Sequence, residues 1–93
     1  ESPAFKIMKL LKEKNIRFQY NDPYFPILRK GRNFKFSKKS ILLNKKNLKK
    51  FDATLVVTDH DLYDYKFIYE NSKKIFDARG VYKNFNFPNV SYC

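Results

Sequence analysis

The chain has 93 residues with 20 Lys or Arg against 9 Asp or Glu, a net charge of +11, and 18% aromatic residues, all Phe and Tyr. This length suits one domain with a single core and is short for a complete two-domain enzyme, while the aromatic content argues against disorder. No apolar run approaches a membrane span, Glu1-Ser2-Pro3 does not read as a signal peptide, and the lone Cys93 excludes a disulfide framework or a cysteine-based metal site. A cytoplasmic protein without a membrane partner is expected.

Taken in chain order, Ser2 suits an N-cap and Pro3 a first helical position. Ala4, Ile7, Met8 and Leu11 then recur at helical spacing, flanked by Phe5 and Leu10, in a helix ending near Lys14-Asn15. Ile16 to Tyr20 alternates like a short strand, closed by the turn signal Asn21-Asp22-Pro23. Pro23 and Pro26 bracket an extended loop, Gly31 marks a turn, and Ser40 to Leu43 is expected to form a short strand. Lys45 to Phe51 reads as a basic helix with Leu48 and Phe51 inward.

The second half carries most of the information. Ala53 to Val57 is a near-continuous apolar run, as expected of a strand buried on both faces, and it stops at Thr58-Asp59-His60-Asp61. A helix from about Tyr63 to Lys73 follows, with Tyr65, Ile68 and Tyr69 on its apolar face and Phe67 nearby. The next strand, Lys74 to Asp77, runs into Ala78-Arg79-Gly80, and the tail from Asn84 to Cys93 is expected to add an edge strand. Strands alternating with helices predict an α/β fold with a mostly parallel sheet, a Rossmann-like three-layer sandwich. In such sheets ligands bind outside the carboxyl ends of the strands, so two successive strands ending in polar groups predict a ligand-binding edge.

With only Gly31 and Gly80, the chain has no glycine-rich phosphate turn of the dinucleotide or P-loop type. From Arg29 to Lys50 there are ten Lys or Arg and no acid, interleaved with Phe34 and Phe36. This block is open to two readings, a nucleic-acid-binding surface or a solvated face in a lysine-rich chain, and the second is preferred. His60, the only histidine, lies between Asp59 and Asp61 with no spacing that suggests further metal ligands, so no metal is expected. Asp59 or Asp61 is expected to cap the following helix, with His60 as a loop residue or a neighbour of a ligand. Arg79 can fork onto a phosphate or a carboxylate, or pair with Asp77 or Asp59.

Four segments occur in one order: Glu1-Ser-Pro-Ala at a helix start, Tyr20-Asn-Asp-Pro-Tyr-Phe-Pro26, Leu55-Val-Val-Thr-Asp-His-Asp61, and Phe76-Asp-Ala-Arg-Gly-Val-Tyr82. Together they resemble the C-terminal, UDP-binding domain of the UDP-glucose/GDP-mannose dehydrogenase family. The Thr-Asp-His and Asp-Ala-Arg-Gly-Val-Tyr segments are most similar to members acting on UDP-N-acetylhexosamines. The resemblance implies that residues 1–93 are one domain of an NAD-dependent UDP-sugar 6-dehydrogenase, an oxidoreductase that converts C6 of a nucleotide sugar to the carboxylate for polysaccharide synthesis.

NAD would be held by an N-terminal Rossmann domain of that parent, and a middle helical region would supply the contact of a homodimer. The catalytic cysteine would lie outside this domain, so no catalytic residue is expected here. Arg79 would contact the nucleotide end of the UDP-sugar, with Thr58 and His60 along the same edge. Family members carry a strand ending in an aromatic-Lys pair before the Glu-Ser-Pro helix start. The chain is accordingly expected to be a fragment whose first strand is missing.

Overall fold

The computed structural model describes residues 3–31 and 37–93. Ser2 as a helix cap, and Phe34 and Phe36 within the basic block, lie outside the described residues. The chain divides into two compact units, Glu1–Leu42 and Leu43–Cys93.

In the first unit, α1 spans Pro3–Glu13, as the helical spacing predicts. Its end is a Schellman motif. Asn15 takes the left-handed conformation (φ 59°) and donates its N–H to the Lys12 carbonyl at 3.1 Å, and Ile16 donates to the Leu11 carbonyl at 2.9 Å. Met8 is buried with Leu28, and Ala4, Phe5, Phe18 and Tyr20 pack around them. Two antiparallel pairs join β1 (Ile27–Leu28) to β2 (Lys38–Lys39).

The strands expected at Ile16 to Tyr20 and Ser40 to Leu43 reduce to a single bridge between Tyr20 and Ser40. The reason is local. Ile16 is 49% exposed, so only Phe18 and Tyr20 of that run turn inward, and side chains hold the segment in place of a ladder. Asp22 Oδ1 accepts the N–H groups of Tyr24 and Phe25, Asn21 Nδ2 donates to the Ile41 carbonyl at 2.7 Å, and the Tyr20 hydroxyl donates to the Phe25 carbonyl at 2.8 Å.

The second unit is α/β and Rossmann-like. Its helices are α2 (Lys45–Lys50) and α3 (Tyr65–Asn71). Three strands, β3 (Thr54–Val56), β4 (Ile75–Asp77) and β5 (Val90–Tyr92), lie in the order β3-β4-β5, and both neighbouring pairs are parallel. The tail therefore supplies the expected edge strand. Parallel pairing demands a crossover of about a dozen residues. α3 lies within the first crossover, and residues 78–89 make the second.

The core consists of Leu48 from α2, Ile68 from α3, Val56 and Ile75 from the sheet, and Tyr82 from the second crossover. Register places Thr54 beside Ile75 and Val56 beside Asp77, so these residues share the face on which Leu48 and Ile68 pack. Leu55 and Phe76 pair on the opposite face and are each 40% exposed. The apolar run at Ala53 to Val57 is thus buried on one face only, a correction to its reading as a strand buried on both. Continuous hydrophobicity reports how apolar a strand is, and packing decides which sides are covered. Among the described residues, no helix is long and apolar enough to cross a membrane.

Candidate functional site

Adjacent parallel strands point the same way, so the carboxyl ends of β3 and β4 open onto one edge of the sheet. The chain leaves β3 through Thr58, Asp59 and His60, and leaves β4 through Ala78, Arg79 and Gly80. Each turn is tied down by a different side chain.

Asp77 governs the second turn. It is 1% exposed, and its carboxylate accepts three backbone N–H groups: Arg79 at 3.0 Å and Gly80 at 2.7 Å on Oδ1, and Tyr82 at 2.9 Å on Oδ2. Burial alone would raise the pKa of this carboxyl. The amides of Tyr82, Arg79 and Gly80 outweigh burial and hold it below the ordinary carboxylate range. The chain can curl back on one carboxylate because Gly80 has φ +75°, a left-handed conformation that costs a residue bearing Cβ about 1–2 kcal/mol. Ala78 N–H, bonded to the Val56 carbonyl at 2.9 Å, and Cys93 N–H, bonded to the Asp77 carbonyl at 3.1 Å, extend the ladder on either side.

Arg79 is thereby placed at the strand end with its backbone fixed and its side chain exposed. Both oxygens of Asp77 are spent on amides, and among the described residues Arg79 forms no ion pair. Of the alternatives the sequence left open for this guanidinium, the internal pairs with Asp77 and Asp59 are absent. A forked, fully charged donor on an exposed edge suits a phosphate or carboxylate.

Tyr65 governs the first turn. Its hydroxyl accepts the His60 N–H at 2.8 Å and lies 3.4 Å from both the Thr58 carbonyl and Asp59 Oδ1. Thr58 is exposed. His60 is half-buried, its Nδ1 accepts the Leu62 N–H at 3.2 Å, and its ring meets Tyr63 edge-on at 5.8 Å. Thr58 and His60 are therefore brought together by one hydroxyl, while Arg79 sits on the turn after the neighbouring strand.

The helix cap expected at Asp59 or Asp61 is instead Asp64, whose Oδ1 accepts the Phe67 N–H at 3.1 Å. The helix starts at Tyr65, later than the apolar spacing suggests. The chain first makes a turn in which Tyr63 donates its N–H to the His60 carbonyl at 3.2 Å.

Two structural residues at this edge were missed by the sequence reading: Tyr65 reads only as part of an apolar face, and Tyr82 only as the end of a motif segment. Tyr82 is fully buried, and its hydroxyl donates to the Tyr65 carbonyl at 2.6 Å. The available signal was chemical: a tyrosine on a buried face needs a partner for its hydroxyl. Asp77 had a signal of its own, an Asp followed three residues later by Gly, which marks an Asx-type turn.

The described residues also form a shallow open concavity of about 230 Å³, lined by Tyr69, Glu70, Ser72, Lys73, Lys74, Ile75 and Asn89. It lies at the amino-terminal end of β4, away from the edge formed by Thr58, His60 and Arg79, and strand direction favours the latter as the site.

Residues 1–84 match the family described as UDP-glucose/GDP-mannose dehydrogenase family, UDP binding domain. No curated protein and no solved structure matches the chain.

Proposed function

The chain belongs to the UDP-glucose/GDP-mannose dehydrogenase family, as its UDP binding domain, and from that premise we propose that it holds the UDP end of a nucleotide sugar for a larger, NAD-dependent 6-dehydrogenase. The parent oxidises C6 of a UDP-hexose or UDP-N-acetylhexosamine to the uronate, in the cytoplasm, as a homodimer, and supplies polysaccharide synthesis. Residues 1–93 act in it as the C-terminal substrate-binding domain. The Thr-Asp-His and Asp-Ala-Arg-Gly-Val-Tyr segments favour an N-acetylhexosamine as the sugar.

The observation that carries the reading is the pairing of the family match with an exposed Arg79 at the carboxyl end of a parallel strand. The guanidinium neutralises phosphate charge, and Thr58 and His60 offer hydroxyl and imidazole groups along the same edge. These residues bind and orient. None is assigned a nucleophile's role, and Cys93 is a free thiol on the surface.

The residues present do not fit NAD, because neither Gly31 nor Gly80 belongs to a glycine-rich turn at a helix start. The nicotinamide cofactor belongs to the other domain of the parent, and no step through it involves this chain.

Steady-state kinetics of the full-length dehydrogenase test the reading. Arg79→Ala should raise KM for the UDP-sugar by at least about tenfold, as expected for loss of a charge-assisted contact worth about 1.5–3 kcal/mol. An unchanged KM removes Arg79 from the site.

A further inference from the structure

We propose that Tyr65 is a positioning residue for the turn carrying Thr58 and His60, and that Tyr82 couples it to the turn carrying Arg79. The proposal rests on the UDP-binding reading above and assigns the device that holds the two halves of that site in register.

Tyr65 is the first residue of α3, directly after the Asp64 cap, so the helix start fixes its backbone. Its hydroxyl oxygen accepts the His60 N–H at 2.8 Å, which leaves its own proton for the Thr58 carbonyl or Asp59 Oδ1, both at 3.4 Å. One side-chain atom thus contacts three consecutive residues of the turn. The ring packs edge-on against Tyr82 at 5.8 Å and lies 5.9 Å from Tyr63. A phenylalanine would fill that space equally well. The hydroxyl is the part of the residue that packing does not explain.

The second half of the link runs through the backbone of the same residue. The Tyr65 carbonyl accepts the Tyr82 hydroxyl at 2.6 Å, and the Tyr82 N–H donates to Asp77 Oδ2 at 2.9 Å. The same carboxylate binds the N–H groups of Arg79 and Gly80. Arg79 and His60 are therefore connected through Asp77, Tyr82 and Tyr65 by hydrogen bonds alone, and the residues in between are buried or half-buried. Such a link limits independent movement of two turns that would have to meet one ligand together.

UDP is the probe, titrated calorimetrically into the full-length dehydrogenase. Tyr65→Phe should weaken UDP about 3- to 10-fold, the range for one net hydrogen bond. KM for the UDP-sugar should rise by the same factor, kcat should fall less than KM rises, and the melting temperature should move by only a few degrees. The His60 amide should exchange faster with solvent in the variant. Tyr82→Phe should shift KM in the same direction.

Wild-type affinity in Tyr65→Phe, alongside a loss in Arg79→Ala, would overturn the positioning role and leave the UDP reading intact. A loss of affinity matched by equal losses of kcat and thermal stability would make Tyr65 a fold residue and overturn the proposal. A wild-type enzyme that does not bind UDP would overturn the reading beneath it as well.

Discussion

Replacing Asp77 by Asn changes one heavy atom and removes one charge at the most constrained point of the sheet edge. Oδ1 keeps its two donors, the Arg79 and Gly80 amides at 3.0 and 2.7 Å. Oδ2 becomes an NH2 group facing the Tyr82 N–H, which now sits 2.9 Å from Oδ2. Two donors then oppose each other where Asp77 is 1% and Tyr82 0% exposed, so water does not replace the lost acceptor. A hydrogen bond to a charged group is worth about 1.5–3 kcal/mol and an orphaned buried donor costs about 1–3 kcal/mol. These overlap, so Asp77→Asn should destabilise by about 2–4 kcal/mol, or at least about 10 °C in Tm for a domain of this size.

The pH dependence adds a second signature. The folded-state pKa of Asp77 lies below the ordinary value of 3.8, so its contribution is fully present above that value and is lost as pH falls through the folded pKa. Urea denaturation of both proteins from neutral pH downward should show a gap that narrows as the solution passes below 3.8. An unchanged midpoint, or a gap that stays constant across that range, refutes the argument.

Asp64→Ala should cost about 1 kcal/mol as a lost N-cap, whereas Asp61→Ala should stay within about 0.5 kcal/mol; paired urea midpoints separate the two. Burial, then the Asp77 charge, pushes the Tyr82 phenol well above its ordinary 10.0. The neutral phenol is thus favoured by folding, and its contribution is lost as pH rises through the folded-state value. Spectrophotometric titration should find Tyr82 the last tyrosine to ionise, and Tyr82→Phe should soften the alkaline loss of stability; equal loss in both proteins contradicts this.

Periodicity carried the elements that bury a clear apolar face. α1 and α2 fall where Met8 and Leu48 sit at helical spacing, β3 falls within the apolar run Ala53 to Val57, and β4 falls within the stretch Lys74 to Asp77 expected as a strand. It overreached at Ile16 to Tyr20, where two inward aromatics are held by side-chain contacts, and at Leu55, where the sequence cannot say which face is covered. Thr58, His60 and Arg79 were legible as strand-end polar residues because strand direction fixes where such groups gather. The supports behind them were not. Asp77 read as one of two alternative partners for Arg79 and instead binds the amides of the turn, because a carboxylate surrounded by N–H groups has no need of a guanidinium. Tyr65 read as one more apolar residue of α3, and spacing carries no information about a hydroxyl that reaches back to residues 58–60.

The family match stops at residue 84, yet the chain beyond it is woven into the part that matches. Val90–Tyr92 forms the outer strand beside Ile75–Asp77, Phe85 and Phe87 lean on the ring of Tyr82, and Tyr69 stacks on Phe87 at 4.1 Å. A boundary drawn at the limit of recognisable ancestry would strip the sheet of an edge and expose its most buried aromatic. Inheritance and cooperative folding have different borders here, and anyone trimming this domain must respect the second.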